Sequence, residues 1–182
     1  MKSKYCRTII FFLIYYQGLK FYEAGYDYEL VKSGFSRDTS NSISNLIVLP
    51  VLGLTFFMTG LINKTGLQPS LITTLLAQCA LYTFNILVFS HNPHIIVVTQ
   101  FLAQTLITYK NMILYIIINS FPLHGLSGMF ITIMLSVWNL GELKTFNTLI
   151  IDVFGWKACA LFGVGLQIVI ICYIPKIFEW ID

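Results

Sequence analysis

Long apolar runs alternate with short polar breaks along the whole chain. Runs of about twenty mostly apolar residues, the length a helix needs to cross a bilayer, occupy residues 7–29, 43–62, 69–89, 94–120, 126–151 and 156–177. The breaks carry turn chemistry: "KSGFSRDTSNS", "NKTGLQP", "SHNPH", "FPLHG" and "DVFG". Each break is short, which predicts that successive helices are antiparallel neighbours. No run alternates apolar and polar residues as a lipid-facing strand would, so the pattern excludes a β-barrel. The predicted fold is an all-α membrane protein, with residues 1–182 forming one six-transmembrane-helix bundle.

Composition agrees with the pattern. Only 10% of the 182 residues are charged and 57% are apolar, against about 25% charged in soluble domains. Such a chain cannot cover a water-facing surface. The net charge of +3 is small and scattered, which argues against nucleic acid as a partner. Cys6, Cys79, Cys159 and Cys172 are widely spaced and suggest neither a metal site nor a redox pair. No metalloprotease, serine-hydrolase or P-loop motif occurs, and neither does a carbonyl filter or an Arg-rich voltage sensor. The reading is therefore of a protein that is not an enzyme and needs no cofactor, with the lipid bilayer as its first partner. The opening "KSKYCR" and "TIIFFLIYY" are built like a signal peptide, but no small-x-small cleavage site follows and the apolar stretch runs on, which favours a span.

The polar residues inside the runs are not scattered. At 100° per residue, Gln17, Lys20, Glu23 and Asp27 share an arc of about 120° in the first run. Gly18 and Gly25 lie on roughly the opposite face, where a neighbouring helix can approach. An ionised group at the bilayer centre costs about 2.5–3.5 kcal/mol on insertion scales, so this stripe must face protein or water. In the fourth run Gln100, Gln104, Thr108, Asn111 and Tyr115 fall within about 80°, with Lys110 about 100° from Asn111. In the fifth, Gly128, Thr132, Ser136 and Asn139 share a face with Glu142 at its edge. The second and third runs are nearly all apolar in their middles. Three polar-seamed helices beside plain ones predict a bundle that encloses an aqueous path.

These seams have a simpler use, since Gln, Asn, Ser and Thr also join helices for about 0.6 kcal/mol each on average. That reading suits Thr132 and Ser136. Glu23, Lys110 and Glu142 are ionisable within the membrane and point to function. Lys144 faces away from Glu142 and is placed to snorkel. His91, His94 and His124 lie beside Pro or Gly in the breaks, and Met58, Met112, Met129 and Met134 suit packing.

Particular stretches carry a family resemblance. "GLKFYEAGYDYELVKSGFSRD" (18–38), Pro50 and "GLINKTGLQPS" (60–70) resemble the start of the C-terminal half of acetyl-coenzyme A transporters, a family of the major facilitator superfamily. Gly18, Glu23 and Gly34 match that family's seventh helix and the loop after it. "SGMFITIMLSVWNLG" (127–141) is similar to its eleventh, through Gly128, Thr132, Asn139, Leu140 and Gly141. The sequence departs from the family at Glu142-Leu143-Lys144, where a second Gly and a Pro-Ser pair belong. It also lacks the Cys-bearing insertion before the last helix found in animal members. Related muropeptide permeases share the architecture.

The resemblance implies half of a major-facilitator-type fold in the endoplasmic reticulum membrane. Its substrate would be a small anionic solute, acetyl-CoA in the family. In such folds the solute lies near the midplane between two six-helix halves that rock against each other, so one half supplies one wall. A partner N-terminal half, in the same chain or a second subunit, is expected. On this reading Lys20 and Lys110 attract phosphate, Gln100, Gln104, Asn111 and Asn139 hydrogen-bond the solute, and Glu23 or Glu142 couples or gates. The competing reading is a non-transporting membrane subunit or scaffold whose seams bind partner helices.

Six spans put both ends on one side. Lys2, Lys4, Arg7, Lys64 and Lys176 then oppose Lys32, Arg37 and Lys157, an excess that favours a cytosolic N-terminus. The sequon Asn63-Lys64-Thr65 falls in a cytosolic loop under this orientation, beyond the reach of the glycosylation machinery. Expressed in a eukaryotic cell, the protein should show no glycosidase-sensitive mass shift. A shift abolished by Asn63→Gln would invert the orientation.

Overall fold

The computed structural model describes residues 30–32, 34, 36–88, 92–120, 132, 136 and 150–181. Among them are four long helices: α1 (Arg37–Thr65), α2 (Leu67–Leu87), α3 (Pro93–Ser120) and α4 (Trp156–Ile181). They coincide with the second, third, fourth and sixth apolar runs. The first run lies outside the described residues; of the fifth, Thr132, Ser136, Ile150 and Ile151 are described, and all four are helical.

Among the described residues, three segments are long and apolar enough to cross a membrane: Asn45–Thr65, Leu67–Leu87 and Trp156–Glu179. The α3 helix, at 28 residues, is also long enough, and Lys110 is its one Asp, Glu, Lys or Arg.

Local sequence explains the ends. Asp38 in the first turn of α1 and Lys64 in its last complement the helix dipole. One residue, Gly66, separates α1 from α2. Its φ of 85° is a left-handed conformation that suits glycine. Its N–H donates to the Ile62 carbonyl at 2.9 Å, and its own carbonyl accepts from the Ser70 N–H at 3.3 Å. Gly155, at φ 79°, repeats the arrangement between the Ile151 carbonyl and the Cys159 N–H at the entry to α4. Asn92 caps α3, its Oδ1 accepting from the His94 N–H at 2.9 Å, and Pro93 follows at the first helical position. The sequon therefore forms the last turn of α1 rather than a loop, with Thr65 Oγ1 bonded to the Leu61 carbonyl at 2.9 Å. That conformation adds a second reason, independent of orientation, for Asn63 to stay unmodified.

Packing does not follow chain order. The α2 helix makes its most extensive contact with α4 and packs almost as widely on α3, which α1 also covers. Although one residue joins them, α1 and α2 barely meet. Of the two consecutive pairs described, α2 and α3 are close neighbours, as the short break predicts, and α1 and α2 are not. The buried positions explain the choice. On α4 they include 156, 160, 163, 167, 170, 174 and 177, alternately four and three apart, and on α2 they include 71, 75, 78, 82 and 85. Both series form the 3.5-residue seam of knobs-into-holes packing. Ala160 and Gly163, both buried, are the small residues of the α4 seam.

At the middle of this contact stand two glutamines. Gln78 and Gln167 are both fully buried, each near the midpoint of its apolar span. Gln167 Nε2 donates to Gln78 Oε1 at 3.4 Å, and Gln78 Nε2 donates to Tyr82 Oη at 3.1 Å. Cys79 Sγ donates to Gln167 Oε1 at 3.1 Å. The surface is the reverse: Phe56 is 84% exposed and Leu46 and Leu49 76%. Hydroxyls on the helices mostly turn back to carbonyls three or four residues earlier, as in Thr55, Thr59, Thr74, Thr83 and Thr105. Ser136 does the same towards Thr132, so its hydroxyl hydrogen serves its own helix rather than a neighbour. Apolar side chains outside, polar ones inside and backbone-satisfied hydroxyls are what a bilayer demands.

The Gln pair generates a stability prediction. Gln78→Leu or Gln167→Leu alone should each cost about 1–2 kcal/mol, because the other amide is left buried without its partner. The double Leu variant should cost clearly less than the sum. Reversible unfolding in mixed detergent measures all three, and strict additivity would mean that the two amides do not interact.

Candidate functional site

The polar side chains of α3 sort onto three directions. Its core side, which meets α1 and α2, carries Ile96, Thr99, Lys110, Ile113 and Ile117, all buried. These positions fall within about 100° of one another around the helix, so a lysine occupies a face that is otherwise mostly apolar. Lys110 is only 3% exposed. An ammonium group at the bilayer centre costs about 2.5–3.5 kcal/mol on insertion scales.

The second direction, about 120° round the helix, is the stripe Gln100, Gln104, Thr108, Asn111 and Tyr115. Gln104 and Tyr115 are exposed, whereas Gln100, Thr108 and Asn111 are half-buried. The stripe runs about 22 Å along α3 at 1.5 Å per residue. Asn111 Oδ1 is buried without a hydrogen-bond partner, and so is Tyr109 Oη. Buried polar atoms are nearly always paired in native proteins, which makes the turn 109–111 unusual on two sides at once.

The third direction is apolar. Ile95, Val98 and Leu102 of α3 form one wall of a groove of about 420 Å³, and Leu81 and Phe84 of α2 form the other, with exposed His94 at its end.

Of the residues that the sequence nominates, Gln100, Gln104 and Asn111 do share one face of α3. Lys110 is carried away from them into the helix contact. Lys20, Glu23, Asn139 and Glu142 lie outside the described residues. The sequence reading missed Gln78 and Gln167 by treating the third run as apolar in its middle and leaving the sixth unexamined. The usable signal was position: a lone amide at the midpoint of an apolar span needs a partner, and two such spans can supply each other's. Asn85 and Thr74, also buried on α2, were missed for the same reason.

The architecture is all-helical among the described residues, and its three apolar helices support a membrane protein. No protein-family model, no curated protein and no solved structure matches the chain. A functional reading rests on the α3 geometry and on the family-like stretches of the sequence.

Thiol scanning tests whether the α3 stripe meets water. In a background without native cysteines, Gln104→Cys and Asn111→Cys should react with a charged, membrane-impermeant thiosulfonate at least about tenfold faster than Phe56→Cys, because the thiolate that reacts forms only where water reaches. Gln104→Cys as inert as Phe56→Cys would place the stripe against lipid.

Proposed function

We propose that the chain is the C-terminal-type half of a secondary transporter, in which α3 lines the path of a small anionic solute. The observation that carries this is Lys110: a buried lysine midway along a helix long enough to cross a membrane. On the same turn, Asn111 Oδ1 lacks a partner within the protein. Ionisable groups within a membrane are rare and mark solute or proton pathways by default. The amides of half-buried Gln100 and exposed Gln104 offer donors and acceptors on one face with Asn111, suited to a solute rich in hydrogen-bonding oxygen and nitrogen. Acetyl-CoA is such a solute, and the stretches at 18–38, 60–70 and 127–141 resemble its transporters in the endoplasmic reticulum membrane.

On this reading, alternating access needs the remaining helices of a six-helix half and a second half facing them, in one polypeptide or two. Lys110 sits on the core side of α3, about 100° from the amide stripe. Its charge would act on the solute through low-dielectric protein rather than by direct contact. The rival reading, a non-transporting subunit, draws support from the closed Gln78–Gln167 network, which is architecture and offers nothing to a solute.

Uptake of radiolabelled acetyl-CoA by vesicles from cells expressing the gene product tests the proposal. Lys110→Ala should lower uptake at least about tenfold, the loss expected when about 1.4 kcal/mol of attraction is removed. Lys64→Ala, at an exposed helix end, should leave it unchanged. Lys110→Arg should recover part of the activity, since it keeps the charge and changes the shape. Equal loss in the two alanine variants at matched expression, or no uptake above control vesicles, would leave the subunit reading in place.

A further inference from the structure

The two glycine joints are alike in detail. At Gly66 the N–H donates to the Ile62 carbonyl at 2.9 Å, and the Gly66 carbonyl accepts from the Ser70 N–H at 3.3 Å. At Gly155 the corresponding bonds, to Ile151 and from Cys159, are 2.8 and 3.2 Å. Both glycines have a positive φ, 85° and 79°. Gly66 and Gly155 are 89 residues apart, and so are Gln78 and Gln167, which bond each other at the centre of the α2–α4 contact.

The same shift holds elsewhere. It carries buried Leu71, Leu75 and Asn85 onto buried Ala160, Val164 and Ile174. It also carries Phe84, 47% exposed, onto Tyr173, 51% exposed. In the sequence it moves the runs 7–29, 43–62 and 69–89 to 96–118, 132–151 and 158–178, over the runs at 94–120, 126–151 and 156–177. The seam positions fit an antiparallel pairing. On α2 they read 71, 75, 78, 82, 85, and on α4, taken backwards, 174, 170, 167, 163, 160, with the same alternation of steps.

We infer that the chain is two copies of one three-helix unit, residues 7–88 and 96–177, joined face to face through α2 and α4 about a two-fold axis between Gln78 and Gln167. Three crossings separate equivalent points, so the second copy threads the membrane in the opposite direction, as an inverted repeat. The axis then lies in the membrane plane, at the depth of the two glutamines. In a contact of this symmetry each pairing occurs twice, once from each copy.

The symmetry names the occupant of one face of α4. Its counterpart α2 packs on α3, with Phe84 across a groove from Val98 and Leu102. The counterpart of α3 is the first run. Residues 7–29 therefore dock on α4 as α3 docks on α2, with Ile9 and Leu13 in the places of Val98 and Leu102 and Tyr173 in that of Phe84. The polarity of the runs agrees, because the shift lays the polar-striped first run on polar-striped α3 and brings Lys20 within one residue of Lys110. The inference stands independently of the transport reading.

The test is cysteine cross-linking of the full chain in membrane vesicles, in a background without native cysteines, with a short bifunctional maleimide that enters the bilayer. Phe84→Cys with Val98→Cys, across the α2–α3 groove, sets the reference yield. Tyr173→Cys with Ile9→Cys or Leu13→Cys should match it within about twofold, at monomer mass, because the pairs are equivalent by symmetry. Tyr173→Cys with Phe56→Cys on α1 should give no product. Lys64→Cys and Asp152→Cys, one beside each glycine joint, should react with an impermeant thiosulfonate from opposite sides of the vesicle. Cross-linking confined to the Phe84–Val98 pair would overturn the inference. So would a Tyr173 product found only at dimer mass, or labelling of both joints from one side.

Discussion

A bilayer offers no hydrogen bonds, so every polar group carried into it must find its partner within the protein. This constraint accounts for most of what the structure shows. The Ser and Thr hydroxyls of α1, α2 and α3 bond their own helices. The two mid-span glutamines meet each other. Where the rule is broken, at Tyr109 and Asn111, the broken positions flank a buried lysine. Exceptions that cluster on one turn of one helix are informative, since scattered ones would suggest only imperfect packing.

The same constraint decides which helices pair. Lipid tails are as apolar as leucine, so burying an apolar face against another helix gains little there, and association relies on close packing and shared hydrogen bonds. The α2–α4 contact has shared hydrogen bonds: the amide pair and the Cys79 thiol fix which residues face each other. The α1–α2 pair has none on its facing surfaces beyond the Thr65–Ser70 hydroxyl contact across Gly66, and these helices scarcely touch despite adjacency in the chain. Chain order is a weak guide to spatial order when the solvent does not drive collapse.

Much of this was legible in the residues. Apolar run length located α1, α2, α3 and α4 to within a few residues, because segment length is set by membrane thickness. Glycine and Asn-Pro punctuation marked Gly66, Gly155 and the Asn92 cap. The amide stripe of α3 followed from 100° periodicity, and its members do share a face. Pairing was harder. Periodicity gives directions around one helix, which set Lys110 about 100° from Asn111 in advance, but it says nothing about which neighbour lies there, so the pairing of Gln78 with Gln167 was not legible. The depth of a single polar residue within its run is the cue that would have recovered the Gln pair.

The joint at Gly66 has a mechanical consequence. A single residue offers two soft torsions and no slack, and its N–H and carbonyl tie it to both helices. Any change in angle between α1 and α2 is therefore concentrated at one hinge. The 29 residues of α1 form an arm about 44 Å long. A turn of about 10° at Gly66 would sweep its far end, at Arg37, through about 8 Å. Because α1 rests on α3, the arm cannot swing without sliding along the helix that carries Lys110. A one-residue connection is thus the fulcrum of the longest helix among the described residues.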